Sequence, residues 1–169
     1  MVQKAFIPPD ILNDHLELLE RFISLSHYIN HTILRCLSDA LKLGDDACFE
    51  KSHRDGQPSD TALKLVYEPT QADLADVIEN KHTDMGTLTL LFGEQWGLQI
   101  ELPDKKNWAF VEPRPGLAVI NVADSLHLLS GKKLHSCVHR VTQPVGGFQR
   151  RFYIVYLLRP ESAIKFDNK

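Results

Sequence analysis

The sequence predicts a mainly β fold of the sandwich or jelly-roll type, with an N-terminal helix packed against one outer face. Two patterns along the chain indicate this. Before residue 44, apolar residues recur every three or four positions; after residue 61, short apolar and β-branched runs alternate with turn signals. The length of 169 residues suits one domain that buries its core without disulfides or a structural metal.

The N-terminal part is predicted to be helical. Leucine and isoleucine residues from Asp10 to Leu43 share one helical face, with or without a break near residues 24–30, and Gly44 supplies a stop signal. A second, short helix is expected in ACFEKSH, whereas HRDGQPSDT has the composition of a loop. We therefore expect a helical segment and loop at 1–59, a jelly-roll domain at 60–161 and a tail at 162–169.

The remainder of the chain is predicted to be β-strands. Val, Ile, Thr and aromatic residues are enriched in short runs separated by Gly, Pro, Asn and Asp, which is typical of antiparallel sheets. The predicted strands are ALKLVYE, GTLTLLF, WGLQIEL, WAFVE, LAVINV, HSCVHRV and RRFYIVYLL.

The charge balance favours small molecules as partners. A net charge of -3 and a pI near 6.2 show no electrostatic footprint for nucleic acid or an anionic membrane. Because no signal-peptide or membrane-spanning segment is apparent, a cytoplasmic location is expected. Three cysteines at unrelated spacings, Cys36, Cys48 and Cys137, suggest reduced thiols, each a small buried side chain. The oligomeric state stays open.

A short H-x-D sequence, His82-Thr83-Asp84, precedes the predicted strand TLTLLF. Residues two apart in an extended segment face the same way, so an imidazole and a carboxylate at this spacing can converge on one cation. The same pattern occurs at residues 53–55, but there it lies in a polar loop, where a solvated pair is expected.

The stretch KLHSCVHRVTQP contains two further histidines, either of which could be a third ligand. If the stretch is a strand, His135 and His139 lie on the same face, and parity does not choose between them. Two histidines and one carboxylate make the facial triad of non-haem iron oxygenases. A single histidine considered alone is more commonly a hydrogen-bonded core or surface residue.

The order of these motifs resembles a known family. HTDMGTLTLLF, WGLQI, VEPRPGLAVINVADSLHLLSG, LHSCVHRV and RRFYIVYLLRPE are similar to the C-terminal half of the iron(II)- and 2-oxoglutarate-dependent dioxygenases of the isopenicillin N synthase-like superfamily, particularly fungal members. The resemblance extends from about Thr61 to Glu161 and implies a double-stranded β-helix, or jelly roll. It also implies that His82, Asp84 and His139 bind the metal and that His135 does not.

The resemblance implies a 2-oxoglutarate site on the last strand. The family pattern R-x-S, followed by an aromatic residue and R/N-P-E, matches Arg151, Tyr153, Tyr156 and the RPE sequence at 159–161. A guanidinium group makes two charge-assisted hydrogen bonds to a carboxylate and keeps its charge when partly buried. Arg151 is therefore expected to bind the distal carboxylate. Tyr153 replaces the family's serine and can donate the same hydrogen bond if its ring fits.

Other matching residues are predicted to be structural. Pro113, Pro115 and Gly116 suit a tight turn before LAVINV, and Asn121 and Asp124 match family positions without a chemical role. Glu68 replaces a common tyrosine and is expected to face solvent, with Tyr67 on the opposite face. Four aromatic residues are expected first in the core and second in a pocket wall: Trp96, Trp108, Phe110 and Phe152.

The resemblance implies an oxidoreductase that uses Fe(II), 2-oxoglutarate and O2 to hydroxylate or desaturate a small organic molecule, as in secondary metabolism. No catalytic residue beyond the metal ligands is implied. The rival from another class is a truncated, non-catalytic jelly roll that binds metal or 2-oxoglutarate without turnover, because relatives carry a further N-terminal domain and this chain is expected to be a short form or fragment. An iron enzyme without 2-oxoglutarate is disfavoured by Arg151, and structural zinc by the open coordination position.

Overall fold

The computed structural model of the chain describes residues 9–68, 81–103, 107–142 and 150–166. A 3₁₀ helix, Asp10–His15, leads into α1, Leu16–Ala40. The predicted helix is therefore correct in type but shorter as an α-helix, and it is not broken at residues 24–30. It ends early because Lys42 adopts a positive φ of 53°, which stops the helical geometry before Leu43.

The buried face of α1 contains more polar residues than the periodicity predicts. Ser26, Asn30, Leu34 and Ser38 are buried at intervals of four residues. The hydroxyl of Ser38 donates to Glu50 at 2.8 Å and accepts from the amide of Phe49 at 3.0 Å. Small hydrogen-bonded side chains allow the helix to approach the sheet closely.

None of the helices in the described residues is long and apolar enough to span a bilayer.

Within the described residues, seven strands lie where the alternating pattern predicts strands, although most are shorter. They are β1 (Ala62–Glu68), β2 (Leu88–Phe92), β3 (Leu98–Glu101), β4 (Trp108–Phe110), β5 (Val119–Val122), β6 (His139–Val141) and β7 (Arg151–Leu158). All pairings are antiparallel and form two sheets, with strand orders β1-β7-β2-β5 and β4-β3-β6. The predicted short helix at ACFEKSH is the 3₁₀ helix Phe49–Ser52.

A second α-helix, α2 (Asp124–Leu129), was not expected from the sequence. Six residues are too few for a recognisable helical period. The predicted turn before β5 is present, since the amide of Leu117 donates to the carbonyl of Arg114 at 3.1 Å and Gly116 has a φ of 74°.

One face of the larger sheet lines a cavity, and the other packs in the hydrophobic core. Along β7, Tyr153, Val155 and Leu157 line a cavity, whereas Tyr156 and Leu158 belong to the hydrophobic core. This alternation follows from the two-residue period of a strand. The core joins α1 and α2 to the sheet and comprises Leu34, Phe49, Leu88, Leu90, Leu126, Tyr156 and Leu158.

Several side chains predicted to be buried are exposed. Cys36 is exposed because Leu34 and Ser38 occupy the inward face of α1, while Cys48 and Cys137 are half-buried; all three thiols are free. Three of the four aromatic residues assigned to the core are exposed and the fourth is half-buried: Trp96, Phe110, Phe152 and Trp108 respectively. Phe152 faces outward because its neighbours Arg151 and Tyr153 are buried.

The H-x-D sequence at residues 53–55 is not a solvated pair. The ring of His53 is buried, with Nδ1 2.8 Å from the carbonyl of Phe49 and Nε2 2.6 Å from the hydroxyl of Thr87. A carbonyl only accepts, so Nδ1 donates and Nε2 accepts from Thr87. Burial lowers the pKa of His53 to about 4, and the ring is neutral at pH 7. The side chain of Asp55, by contrast, is 89% exposed.

The loop around His53 is also attached to the last residues of the described chain. The guanidinium of Arg54 makes two hydrogen bonds, of 2.8 and 2.7 Å, to the buried carboxylate of Glu161. This bidentate pair lowers the pKa of Glu161 to about 2 and keeps the carboxylate charged. It fastens the loop beside the C-terminal end of β7.

Candidate metal centre

The chain segments that hold His82 and His139 are paired through their backbones. The amide of His82 donates to the carbonyl of His139 at 3.0 Å, and the amide of His139 donates back at 2.9 Å. The bridge places an irregular segment before β2 against the first residue of β6. Both imidazoles consequently project from adjacent, fixed backbone positions.

Asp84 completes a cluster with these two histidines. One carboxylate oxygen, Oδ1, lies 3.7 Å from Nε2 of His82 and 3.7 Å from Nε2 of His139. The imidazole rings are 4.4 Å apart at their centroids, and one donor atom of each residue lies within 4.8 Å of the other two. A single cation placed between the three side chains can contact all of them.

The second oxygen of Asp84 is held by Asn121. The amide nitrogen Nδ2 of Asn121 donates to Oδ2 at 2.9 Å, which leaves Oδ1 directed toward the histidines. The backbone of Asp84 is fixed as well, because its carbonyl accepts the amide of Asp124 at 2.9 Å. Thr83 donates its hydroxyl to the Asp124 carboxylate at 2.9 Å. The carboxylate is therefore oriented before any ligand binds.

His139 has a hydrogen bond that defines its tautomer. Its Nδ1 lies 3.1 Å from the carbonyl oxygen of Cys137, which can only accept. The proton is therefore on Nδ1, and the lone pair of Nε2 is directed toward Asp84. Metal-binding histidines usually have this arrangement, in which the second ring nitrogen donates to a backbone carbonyl.

The cluster lies in the wall of a cavity between the two sheets. The cavity has a volume of about 450 Å³, within the range of small-molecule sites. Its lining is mostly aliphatic, with Lys64, Thr89 and Asn121 adding polar groups from the larger sheet. The four aromatic residues considered for a pocket wall are not among the described lining residues.

Arg151 and Tyr153 share the cavity-facing side of β7. Tyr153 lines the cavity, and Arg151, which is not among the described lining residues, is buried two positions away with its Nη1 donating to the carbonyl of Thr142 at 2.6 Å. Gly97 packs between them. A Cβ atom there would lie 2.5 Å from Arg151 Nη1 and 3.0 Å from the Tyr153 hydroxyl. A larger residue at position 97 would therefore require the Arg151 guanidinium to shift.

His135 does not join the cluster. Residues 135–138 are not a strand, so the parity that placed His135 beside His139 does not apply. The segment is irregular because it is fastened to α2: the amide of Leu134 donates to the Ser130 hydroxyl, and the carbonyl of Leu134 lies 2.6 Å from His127 Nδ1. His135 is exposed, with its ring centroid 6.2 Å from that of His127.

A comparison with protein families identifies the fold and its chemistry. The sequence model of the 2OG-Fe(II) oxygenase superfamily matches residues 59–160, which is more than half of the chain. The chain belongs to the 2OG-Fe(II) oxygenase superfamily. Members of this superfamily use Fe(II), 2-oxoglutarate and O2, so the predicted resemblance and its cofactors are confirmed.

Relatives within the superfamily include fungal enzymes. The chain is 51% identical over 166 residues to the 2-oxoglutarate-dependent dioxygenase iboH of Amanita muscaria, covering 96% of this chain and 80% of that protein. It is 45% identical to a 2-oxoglutarate-dependent dioxygenase of Gibberella zeae, covering 95% of this chain and 49% of the relative. The chain thus spans most of the first relative and about half the length of the second.

Solved structures confirm the jelly-roll architecture of the superfamily. A 2OG-Fe(II) oxygenase family protein from Caulobacter crescentus superimposes with a TM-score of 0.79 at 26% identity, covering 96% of this chain and 53% of that one. JOX2 in complex with 2OG, Fe and JA gives a TM-score of 0.79 at 22% identity, covering 94% and 46%. The predicted mainly β fold with an N-terminal helix is therefore correct.

Sequence reasoning missed the contact between Asn121 and the Asp84 carboxylate and treated Asn121 as structural. A signal was present in LAVINV, where a lone amide side chain interrupts an apolar strand. Pairing of β5 with β2 places Asn121 opposite Thr89, in the same cavity wall. That register could not be read from the sequence of either strand alone.

Proposed function

We propose that this chain binds Fe(II) through His82, Asp84 and His139 and uses 2-oxoglutarate and O2 to oxidise a small organic molecule by hydroxylation or desaturation. The observation that supports this most strongly is the position of Asp84 Oδ1, equidistant from the two imidazole nitrogens in a cavity wall. Membership of the 2OG-Fe(II) oxygenase superfamily gives the reaction class.

The donor set fits Fe(II). Two imidazole nitrogens and one carboxylate oxygen are the ligands of the facial triad, which leaves coordination positions open on one side. Bound Fe(II), with 2-oxoglutarate and O2, supplies the oxidising power. The chain's own contribution is orientation: Asn121 holds the Asp84 carboxylate, and the Cys137 carbonyl holds the His139 ring.

We assign the distal carboxylate of 2-oxoglutarate to Arg151 and Tyr153. Both are on the cavity-facing side of β7, and a buried guanidinium keeps its charge and can form a paired hydrogen bond to a carboxylate. The hydrogen bond from Arg151 to the carbonyl of Thr142 holds the guanidinium group close to β6, the strand that begins with His139. The Tyr153 hydroxyl, near the same Gly97 backbone, is the proposed replacement for the family's serine.

The substrate is proposed to be a small, largely apolar molecule. The described cavity walls are mostly aliphatic, which excludes water and favours apolar surface. Their role in the reaction is to place one carbon of the substrate beside the metal centre. A cytoplasmic location is part of the proposal and depends on the sequence alone.

Formation of succinate tests the function. Purified chain without an affinity tag is supplied with Fe(II), 2-oxoglutarate and O2, and succinate is measured by mass spectrometry. We expect succinate with the unaltered chain and with His135→Ala, the matched control, and none above background with His139→Ala. Equal loss in both variants would contradict the ligand assignment. Binding of 2-oxoglutarate without succinate would favour the non-catalytic alternative, which no comparison supports.

A further inference from the structure

A second group of metal-binding side chains lies on the other face of the larger sheet. It consists of His27, His31 and Asp55, and we name it the helix-loop cluster. One donor atom from each residue lies within 4.8 Å of the other two. The imidazole rings are 4.3 Å apart at their centroids, and Nε2 of His27 is 3.1 Å from Asp55 Oδ1.

The backbone explains this convergence. His27 and His31 are four residues apart in α1, so their rings lie over each other on one face of the helix. Asp55 comes from the loop after the 3₁₀ helix Phe49–Ser52, which the pair between Arg54 and Glu161 holds in place. Two histidines at this helical spacing with a carboxylate from another segment form a recurring zinc-binding arrangement.

We propose that the helix-loop cluster binds a divalent transition-metal ion of the zinc type and that the ion ties α1 to the loop at residues 53–57. This site is separate from His82, Asp84 and His139. The two positions are on opposite faces of β7, because Val155 lines the central cavity whereas Tyr156 contacts His27.

The surroundings of His27 suit a metal ligand. Its Nδ1 is 2.8 Å from the hydroxyl of Tyr156, a buried side chain. A phenol can either donate or accept a hydrogen bond. Once a cation takes the place of the proton on Nε2, the remaining ring proton is on Nδ1 and donates to the Tyr156 oxygen. A hydrogen bond to the second ring nitrogen is the usual support of a metal-binding histidine.

His31 offers a donor atom that the described residues leave unsatisfied. Its Nε2 is buried and has no hydrogen-bond partner among them. Buried polar atoms without a partner are uncommon in folded proteins, because they lose their hydration without compensation. A bound cation would give this nitrogen a partner. Zinc suits two nitrogen donors and one carboxylate better than magnesium or calcium, which favour oxygen ligands.

There is room and charge for the ion at this position. A cavity of about 190 Å³ beside the cluster is lined by His27, His53 and Asp55 and can hold water as a further ligand. The nearby Arg54 guanidinium is engaged with the Glu161 carboxylate, which offsets its positive charge. The Asp55 carboxylate adds a negative charge at the cavity, which is also lined by Arg159, whose guanidinium donates to the carbonyl of Asp60.

Zinc binding to the tag-free full chain tests the proposal. Stoichiometry is measured by inductively coupled plasma mass spectrometry after dialysis, and affinity by competition with a chromophoric chelator. In the double variant His82→Ala/His139→Ala we expect one zinc ion per chain. Adding Asp55→Asn should weaken this binding at least tenfold, whereas Asp60→Asn, an exposed aspartate of the same loop, should leave it unchanged.

Two further comparisons keep the test independent of how the double variant folds. In the otherwise unaltered chain we expect two zinc ions, and one for Asp55→Asn, a substitution at a side chain that is 89% exposed. His31→Gln should also lose one ion, whereas His15→Gln, an exposed histidine before α1, should lose none. Zinc should raise the melting midpoint of the double variant only while Asp55 is present. Equal zinc binding by the Asp55 and Asp60 variants would overturn the proposal.

Discussion

Replacing Asn121 with leucine tests how far the metal centre depends on an oriented carboxylate. Leucine branches at the same side-chain atom as asparagine but cannot donate to Asp84 Oδ2, a hydrogen bond of 2.9 Å. Without the amide, the carboxylate can rotate, and Oδ1 leaves its position 3.7 Å from each histidine nitrogen. The three proposed ligands themselves stay unchanged.

Two independent considerations give a similar magnitude for this loss. A hydrogen bond to a charged group contributes roughly 1.5 to 3 kcal/mol. Removal of a group that orients a metal ligand typically reduces metal affinity about 10- to 100-fold, which corresponds to roughly 1.4 to 2.8 kcal/mol. We therefore expect Asn121→Leu to bind Fe(II) at least about tenfold more weakly than the unaltered chain.

Anaerobic calorimetric titration with Fe(II) measures the change directly, and Mn(II) can replace Fe(II) where oxidation interferes. Circular dichroism and the melting midpoint show whether the variant is folded. Leu128→Asn, a partly exposed position on α2 away from the cavity lining, controls for the exchange of the same two side chains. Metal affinity of Asn121→Leu within twofold of the unaltered chain would refute the orienting role.

Three other predictions concern neighbouring groups. Gly97→Ala should raise the Kd for 2-oxoglutarate about tenfold or more, because a Cβ atom would lie 2.5 Å from Arg151 Nη1 and displace a hydrogen bond to a charged group, which contributes roughly 1.5 to 3 kcal/mol. Unchanged binding in a fluorescence titration would contradict this. Arg151→Lys should weaken 2-oxoglutarate similarly but leave Fe(II) affinity intact, since lysine lacks the planar fork, and a parallel loss of both in calorimetry would show a merely structural role. Lowering the pH from 7 to 5 should reduce the free energy of unfolding of the metal-free chain by about 2 kcal/mol through His53. The reason is that the ring takes up a proton below pH 6.5 in the unfolded chain, whereas burial in the folded chain prevents this until about pH 4. Urea unfolding in the presence of a chelator measures the change, and the same loss in His53→Asn would contradict it.

The sequence was most informative where local period and motif order agree. Alternation predicted the seven strands, since a strand between two layers must change face at each residue. Motif order, supplied by the family resemblance, distinguished His139 from His135 where strand parity could not. In the structure the segment before His139 is irregular, so parity was the wrong basis for comparing the two histidines.

The features that were not predicted from the sequence share one physical cause, which is packing between segments that are distant in the chain. His53 is buried because Thr87, 34 residues away, meets its ring. Asn121 reaches Asp84 because β5 pairs with β2. Composition marked the loop at residues 53–61 as polar but could not show that it folds against the sheet.

Anaerobic absorption spectroscopy tests the central claim most directly. Fe(II) and then 2-oxoglutarate are added to the folded, tag-free chain, and the metal-to-ligand charge-transfer absorption of a 2-oxo acid bound with Fe(II) is followed. We predict that the absorption appears at one equivalent of each for the unaltered chain and for His135→Ala, and is absent for His139→Ala. A folded chain without the absorption, or one in which His139→Ala retains it, would contradict the proposed site.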